Sequence, residues 1–316
     1  MNSERRKKTT EQILNISRLY YLDNLSQLEI SKRLKVSRPT ISRALTQARE
    51  TGIVDIKIND PFQDVEALKR QLIQKYHLNQ VVIATQTNDN PEAILDALGK
   101  VTANYLDEIV HDDDTIGISW GLTMQAVSRH LKENHSVNVR LVQLKGSVST
   151  AKENNYTADT MNNFSQAFHT QARLLPVPVV FDTVEAKKIV MNDKFVQTVT
   201  REGTESNIAL FTVGNTQMNS MLFRLGYLDK NLATYLQKNS VGDVLSHFVD
   251  ENGTIVDQTL DDRTVAISLD DLKRKEYAIL VGGGAAKLLP MHAALQGNYA
   301  NVLVTDQTTA RSLLNM

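Results

Sequence analysis

Five polar residues at the start of a short predicted helix carry the donors and acceptors that reading DNA base edges and gripping phosphates require. They are Ser37, Arg38, Thr40, Ser42 and Arg43. Ser37 suits an N-cap because its hydroxyl can accept from a first-turn amide, and Pro39 falls where a missing N–H costs little. Ile41 and Leu45 form the apolar side of this helix, so the polar side chains after Ser37 face outward. The pattern predicts a recognition helix.

The surrounding elements predict a winged helix-turn-helix over residues 1–60. The apolar side of the preceding short helix consists of Leu28, Ile30 and Leu34. A tight turn at Lys35-Val36 joins the two helices, and Glu11 to Leu22 predicts an amphipathic supporting helix. Residues 52–58 alternate as a strand and would form the wing. An ordinary helical hairpin with a solvated charged face is the alternative, but the cap, the proline and the outward polar residues favour DNA binding.

Charge is unevenly divided along the chain of 316 residues. Residues 1–60 carry 12 Lys+Arg and 7 Asp+Glu, a net of +5, although the whole chain has a net charge of only -1. A local basic surface is what phosphate binding needs. No apolar run approaches the roughly 20 residues needed to span a bilayer, and no signal peptide is present, so we expect a cytoplasmic protein without membrane contact. The absence of cysteine excludes disulfides and thiolate metal sites.

A break at Asn59-Asp60-Pro61 places the domain boundary there, before a predicted helix from Asp64 to Tyr76. Residues 61–316 then alternate apolar strands with helices, which predicts an α/β domain with a doubly wound, mostly parallel sheet covered on both faces. The predicted strands are Val81 to Ala84, Thr115 to Ser119, Val139 to Leu144, Val177 to Phe181, Ile208 to Val213, Val244 to Val249, Ala278 to Val281 and Val302 to Thr305. The predicted helices between them include Pro91 to Val110, Met124 to Lys132 and Glu185 to Val199. The turn Asp250 to Gly253 predicts one antiparallel hairpin.

Glycine, hydroxyl and lysine side chains recur where four of these strands end. Ligands of open α/β sheets collect at the carboxyl ends of the strands, so the recurrence predicts a phosphorylated small molecule. The candidate residues at these strand ends are Gly121, Leu122, Thr123, Lys145, Gly146, Ser147, Gly214, Asn215, Gly283 and Lys287. No P-loop or dinucleotide fingerprint is present, so no nucleotide cofactor is indicated. His111 with Asp112 to Asp114 predicts a solvated loop, and no metal site is expected.

The chain resembles the SorC family of sugar-responsive bacterial regulators over nearly its full length. The residues that carry the resemblance are Ser37 to Arg43, Ile118 to Thr123, Gly242 to Val244, Gly282 to Gly284 and Lys287, and Gln143 to Gly146 is most similar to the family's deoxyribonucleoside-responsive members. The resemblance implies an effector domain similar to sugar-phosphate isomerases and deaminases, a homodimer or homotetramer, and a phosphorylated sugar as inducer. It also implies phosphate on Gly121 to Thr123 and on Lys287, with Asp243 near the sugar hydroxyls.

Lys145 has two interpretations. If the effector is deoxyribose 5-phosphate, its open-chain aldehyde could condense with a lysine made neutral by burial beside other cations, giving an imine (Schiff base). The alternative is a lysine that pairs electrostatically with phosphate.

The sequence therefore predicts a transcriptional repressor without catalytic residues, which binds a double-stranded operator and is released by a phosphorylated sugar. Deoxyribose 5-phosphate is the favoured effector, and the controlled genes would serve nucleoside or sugar catabolism. An activator, or a sugar-phosphate isomerase or deaminase fused to a DNA-binding domain, are the alternatives. The enzyme would need a base next to the sugar carbons, for which Asp243 is the candidate.

Overall fold

The computed structural model describes residues 2–54, 61–85, 90–147, 156–218, 220–224 and 226–316. Contacts between residues divide the chain into two compact units, Met1–Pro61 and Phe62–Met316. No helix among the described residues is long and apolar enough to cross a bilayer.

The first unit holds three helices within its described residues: α1 (Asn2–Tyr21), α2 (Gln27–Leu34) and α3 (Arg38–Glu50). Ser26 and Glu29 cap each other at the start of α2, and Lys35 ends that helix in the left-handed conformation, with φ of 53°. The Ser37 hydroxyl accepts from the Thr40 amide and starts α3 with Pro39 in its first turn. These caps confirm the predicted turn and the predicted start of the second helix.

One buried apolar cluster of this unit takes side chains from all three helices, and its members are Ile16, Leu19, Ile30, Ile41 and Leu45. Leu28 was predicted to join them, but it is 56% exposed because it lies on the opposite side of α2 from the buried Ile30. Residues 51–54 form a turn and a bend. The rest of the predicted wing strand, residues 55–58, lies outside the described residues.

The second unit is an α/β fold, and its helices and strands follow one another along the chain. In chain order they are α4 (Pro61–Tyr76), β1 (Gln80–Ala84), α5 (Pro91–Ile109), β2 (Thr115–Ile118), α6 (Leu122–Arg129), β3 (Arg140–Gln143), α7 (Tyr156–Ala167), α8 (Val184–Met191), α9 (Lys194–Glu205), β4 (Ile208–Phe211), β5 (Val213–Gly214), α10 (Met221–Arg224), α11 (Lys230–Asn239), β6 (Gly242–Val244), β7 (His247–Val249), α12 (Gln258–Arg263), α13 (Leu269–Lys273), β8 (Tyr277–Val281), a 3-10 turn (Ala285–Lys287), α14 (Leu288–Gln296), β9 (Val302–Asp306) and α15 (Gln307–Leu314).

Six of the described strands form one sheet in the order β1-β9-β8-β4-β2-β3, and every neighbouring pair is parallel. Alternate side chains of β4 enter different cores: Ala209 and Phe211 pack on one face, and Ile208 and Leu210 on the other. Both faces are therefore buried, as a parallel sheet requires. The predicted doubly wound, mostly parallel sheet is confirmed.

The order of the strands fixes where a ligand can enter. From β2 the chain moves outward to β3 at one edge, and it then returns to β4 on the other side of β2 and continues to β8 and β9. The connections after β2 and β4 therefore run in opposite directions and leave a crevice at the carboxyl ends of these two strands. Ligands of open α/β sheets bind at such a switch point.

Three predicted elements differ in the structure. Among the described residues, the segment 177–181 makes single bridges, from Pro178 to Ser147 and from Val180 to Thr264, and Pro178 has no N–H with which to extend a ladder. The predicted helix Glu185 to Val199 is two helices, since the Asp193 carboxylate accepts the Phe195 and Val196 amides and starts α9 anew.

The third difference is in the predicted strand Val244 to Val249. It is instead the tight hairpin β6-β7, with Leu245 and Ser246 as its two-residue turn. Together with β5 it forms a small antiparallel sheet, and the segment after Gly253 bridges back to it through Ile255 and Val249. The predicted antiparallel excursion is thus present, but it begins earlier, at β5.

Candidate functional site

The first turn of α6 presents free backbone amides at the carboxyl end of β2. Gly121 precedes this helix with φ of 134°, a conformation that favours glycine, and it provides no side-chain cap. Thr123 in the first turn is buried. A helix N-terminus whose amides lack a cap is a ready site for an anion.

Lys287 brings a positive charge to the same place. Its Nζ donates to the hydroxyl of Thr123 at 2.7 Å and to the hydroxyl of Thr212 at 2.6 Å. Thr212 follows β4, so the lysine joins the ends of the two strands that flank the switch point. Burial lowers the pKa of Lys287 to about 8, with Asp243 opposing that effect and Lys145 adding to it. An anion in this crevice would favour the charged form of the lysine.

A glycine loop after β8 forms another wall. The Gly284 amide donates to Asp306 Oδ2 at 3.0 Å and to the Thr309 hydroxyl at 2.8 Å, and Gly284 has φ of 82°. A Cβ on Gly283 would lie 2.3 Å from Asp306 Oδ2, so only glycine fits there. Asp306 is fully buried and also accepts from the Thr309 amide and hydroxyl, which holds the carboxylate in place.

Lys145 reaches the site from the end of β3. Its side chain is buried; its Nζ lies 3.9 Å from the centroid of the Trp120 ring and donates to the Ser246 hydroxyl at 3.2 Å. Gln143 fixes the backbone beside it, because its Nε2 donates to the Lys145 carbonyl at 2.6 Å. Burial lowers the pKa of Lys145, and Asp243 partly opposes this. A buried lysine with a lowered pKa is the chemical requirement for an amine nucleophile.

Asp243 lies on β6, where its side chain is buried. Its Oδ2 accepts from the Ser246 amide at 2.8 Å, and its Oδ1 lies against Gly214 on the neighbouring strand. A Cβ on Gly214 would lie 2.1 Å from that oxygen, so the glycine makes room for the carboxylate.

These groups line one cavity of about 880 Å³. Nine of the predicted effector residues are in its lining: Gly121, Leu122, Thr123, Lys145, Gly214, Asn215, Asp243, Gly283 and Lys287. Gly146 and Ser147 lie outside the lining. The Gly146 carbonyl accepts the Trp120 indole N–H at 2.8 Å, and Ser147 bridges to Pro178.

Other residues of the lining were not among the sequence candidates, and three of them carry polar or aromatic groups into the site described above: Trp120, Thr212 and Asp306. Trp120 adjoined a candidate loop, but nothing in the sequence distinguished it from a packing residue. Thr212 was hidden inside the predicted strand Ile208 to Val213. Asp306 is the last residue of β9 and starts α15 as its N-cap, a signal that sequence reasoning could have used. The described lining contains no histidine.

The predicted DNA-contacting residues are all exposed on α3 or at its cap: Ser37, Arg38, Thr40, Ser42 and Arg43. Ile41 and Leu45 of the same helix are buried, so the polar and apolar sides separate as predicted. The Ser37 and Thr40 hydroxyls lie 2.8 Å apart and stabilise the first turn together. The helix thus presents two arginines and three hydroxyls on one exposed surface, a set of groups that suits phosphates and base edges.

Comparison with known proteins gives the class of protein. Residues 60–315 match the family described as "Putative sugar-binding domain". The crystal structure of the full-length sorbitol operon regulator SorC from Klebsiella pneumoniae superposes with a TM-score of 0.73 at 29% identity, covering 96% of this chain and 98% of that one. The chain belongs to this sugar-binding domain family, whose matching members include SorC-type transcriptional regulators.

Two named relatives narrow the comparison. The chain is 41% identical over 302 residues to the "Deoxyribonucleoside regulator" of Bacillus subtilis, covering 96% of both proteins. It is 28% identical to the "Transcriptional regulator LsrR" of an Enterobacter strain, covering 96% of this chain and 93% of that one. The resemblance predicted from the sequence is confirmed.

Proposed function

We propose that this protein is a transcriptional repressor whose operator binding is relieved by a phosphorylated sugar, namely deoxyribose 5-phosphate. Residues 1–60 would bind double-stranded DNA through α3. Residues 61–316 would bind the effector and form the homodimer or homotetramer that pairs two recognition helices. The genes under its control would serve the breakdown of deoxyribonucleosides or sugars, and the repressor would act in the cytoplasm, where its operator lies.

The observation that carries the effector proposal is the ammonium of Lys287 between the Thr123 and Thr212 hydroxyls. When both hydroxyl oxygens accept from the lysine, their own protons are free to be donated to a phosphate. The amides of the first turn of α6 and the glycine loop after β8 add further donors to the same crevice. A phosphate monoester offers the acceptor oxygens that such a set of donors requires.

The other end of the cavity supports a sugar with a free aldehyde. Asp243 Oδ1 has no hydrogen-bond donor among the described residues and would accept from a sugar hydroxyl. Lys145 is buried beside a second lysine, and its lowered pKa leaves more of it as the neutral amine. We propose that this amine condenses with the aldehyde of deoxyribose 5-phosphate to give an imine. The name of the 41% identical relative agrees with this choice of effector.

Release from DNA requires two states of the oligomer that place their recognition helices differently. Half-sites on DNA are read at about one helical turn, roughly 34 Å, or at multiples of it. The effector shifts the balance between the states only by its difference in affinity for them. In an activator, the effector would instead bind more tightly to the state of the oligomer that binds DNA.

The test is operator binding by the purified protein to its own upstream DNA, titrated with deoxyribose 5-phosphate and separately with fructose 1,6-bisphosphate. Release by the first alone supports the proposal. Release by fructose 1,6-bisphosphate alone would support a regulator with a different effector. Tighter binding on addition of effector indicates an activator, and turnover of either sugar phosphate by the protein would favour an enzyme.

The imine has its own test. Sodium borohydride added with deoxyribose 5-phosphate should leave a stable adduct, and peptide mass mapping should place it on Lys145. If the protein stays unmodified at saturating effector, Lys145 forms no imine, and its role is the electrostatic pairing with phosphate. An adduct on Lys287 would assign the chemistry to the other lysine.

A further inference from the structure

The surroundings of the Lys145 amine differ on its three sides. Nζ donates to Ser246 Oγ at 3.2 Å, and the Trp120 ring lies over it at 3.9 Å. Lys145 also lines the cavity, whereas Ser246 is only 1% exposed and lies outside the lining. An sp3 nitrogen has three positions besides its bond to carbon. The hydroxyl oxygen and the π face of the ring each attract one N–H, which leaves the third position for the cavity.

We propose that Ser246 is a positioning residue, which together with the Trp120 ring turns the lone pair of the Lys145 amine toward the effector aldehyde. The inference rests on the imine proposed above and adds to it a residue that no loop motif indicated. A neutral amine that rotates freely would present its lone pair to the cavity for only part of the time. Fixing the orientation of the amine preorganises it for attack on the aldehyde carbon.

The backbone at Ser246 supports a functional role. Leu245 and Ser246 form the two-residue turn of the β6-β7 hairpin, and both have positive φ, at 51° and 74°. Such turns favour Asn-Gly, because other side chains are strained there. Residues with strained backbone conformations persist only where the surrounding packing and hydrogen bonds hold them in place, and they cluster at ligand sites.

Two contacts hold this turn in place. The Leu245 side chain is fully buried in the core beside Val244 and Val249, and the Ser246 amide donates to Asp243 Oδ2 at 2.8 Å. The turn therefore couples Asp243 and Ser246 at the same end of the cavity. A glycine at position 246 would relieve the strain, so the feature that a serine adds there is its hydroxyl at Lys145.

Trp120 is fixed as firmly as the turn. Its indole N–H donates to the Gly146 carbonyl, which belongs to the residue directly after Lys145. Its ring packs in an apolar cluster with Val179, Val180 and Phe248. The ring can therefore act as a wall that keeps the amine directed away from the core.

The step that this orientation serves is balanced by the two reactants alone. The Lys145 lone pair forms a bond to the aldehyde carbon, and the carbonyl π pair moves to oxygen, which takes up the proton that leaves nitrogen. The resulting carbinolamine loses its hydroxyl together with the remaining N–H proton as water. The product is the imine, so one amine and one aldehyde yield one imine and one water.

The experiment measures the rate at which borohydride traps the adduct on Lys145 at saturating deoxyribose 5-phosphate. Ser246→Ala removes the hydroxyl and keeps the strain, and Ser246→Gly removes both. Rates are taken on the high-pH plateau of each protein, where the amine is neutral and orientation alone differs. We expect both variants to fall about 10-fold or more in this plateau rate, the scale that lost orientation produces.

Two controls separate positioning from a structural defect. 2-Deoxyribitol 5-phosphate lacks the aldehyde, so its reversible affinity should stay within about twofold of the original protein in both variants. Ser240→Ala removes another buried serine hydroxyl, one that donates to the Leu236 carbonyl outside the cavity lining, and should leave the trapping rate unchanged.

The outcomes are distinct. Trapping at the original rate in Ser246→Gly or Ser246→Ala overturns the role of Ser246 while the imine stands. A parallel loss of affinity for 2-deoxyribitol 5-phosphate also overturns it, because the turn would then matter only for the shape of the site. No adduct in the unaltered protein overturns the imine and this inference together.

Discussion

The two units of this chain assemble their functional groups in opposite ways. In the first unit, the candidate DNA-contacting residues lie between positions 37 and 43, within two turns of one helix, and all are exposed. In the second unit, the cavity combines residues from the ends of β2, β3, β4 and β8, and its two lysines are 142 positions apart in the sequence, at 145 and 287. A local pattern suffices to present a surface, whereas a cavity needs a sheet to bring distant loops together.

The basic residues differ for the same reason. Arg38 and Arg43 are exposed, as suits contact with the phosphates of DNA. Lys145 and Lys287 are desolvated and have lowered pKa values, as suits recognition or chemistry on a small anion. Substitutions that break one function and leave the other intact would establish this division, and we order them by expected size.

The largest effect is expected from Arg38→Ala combined with Arg43→Ala. Each lost contact of an arginine with DNA is worth about 1–3 kcal/mol, so the pair should weaken operator binding by about 30-fold or more. Fluorescence anisotropy with the protein's own upstream DNA measures this loss. Arg140→Ala, which alters an exposed arginine of the other unit, is the matched control.

The same double variant should bind deoxyribose 5-phosphate as the original protein does, because α3 contributes nothing to the cavity lining. Simultaneous loss of effector binding would contradict the proposed division of the chain into residues 1–60 and 61–316.

The second effect is expected from a variant that loses effector binding and keeps operator binding. Lys287→Met removes the ammonium that joins Thr123 to Thr212, and a hydrogen bond to a charged group is worth about 1.5–3 kcal/mol. We expect the affinity for deoxyribose 5-phosphate to fall by about 10- to 100-fold, while operator binding without effector stays unchanged. Calorimetric titration measures the first quantity and anisotropy the second.

The control for that variant is Lys100→Met, which alters an exposed lysine of α5. Equal losses of effector affinity in the two variants would mean that Lys287 contributes only to the net positive charge of the protein. Weakened operator binding by Lys287→Met would contradict the proposal that this site serves the effector alone.

The third effect is a pH dependence of effector affinity. The pKa of Lys287 is lowered to about 8, and a bound phosphate dianion would raise it, so binding takes up a proton where the free lysine is neutral. Affinity should therefore be level from about pH 7 to 8 and fall above that, by at most about tenfold for each pH unit.

Titration with 2-deoxyribitol 5-phosphate simplifies this measurement, because the alcohol forms no imine and the covalent step at Lys145 does not enter the affinity. Lys287→Met should give a nearly flat profile above pH 8. A decline of the same steepness in that variant would assign the proton to another group.

The smallest effects are expected from alanine substitutions of two adjacent glycines in the loop after β8. Gly283→Ala places a methyl against the fixed carboxylate of Asp306, and overpacking of this kind costs about 1–3 kcal/mol. Gly284→Ala meets no atom closer than 3.8 Å and is strained only by its backbone conformation, with φ of 82° and ψ of 158°, at about 1–3 kcal/mol. Effector affinity should fall more in Gly283→Ala, since Asp306 or the loop must move.

Urea unfolding and effector titration on both variants test that order. A larger loss of affinity in Gly284→Ala would indicate that backbone strain, and not the contact with Asp306, determines the shape of the loop.

Local sequence patterns predicted the helices of the first unit because caps and apolar spacing act within a few residues. Ser37, Pro39 and Lys35 act as predicted, and the error at Leu28 concerns only which side of a short helix is buried. The alternation of strands and helices likewise predicted the parallel sheet, since burial on both faces demands continuous apolar strands.

Predicted details of the second unit failed where one segment depends on another far along the chain. Residues 177–181 looked like a strand, yet Pro178 and its distant bridging partners reduce them to single bridges. The run Val244 to Val249 looked equally continuous, yet its middle residues turn sharply because Leu245 fits the core and Asp243 holds the Ser246 amide.

The sequence by itself thus determined the capped helix α3 with its exposed polar residues, the class of sheet and nine of the residues that line the cavity, because each of these follows from residue types at short spacing. Only the tertiary structure decided that Thr212 bridges to Lys287, that Gly146 and Ser147 lie outside the lining, and that Ser246 meets Lys145. The physical reason is that strand order and turn conformation depend on packing between distant segments, here 75 residues apart for Thr212 and Lys287 and 101 for Lys145 and Ser246, which no local pattern records.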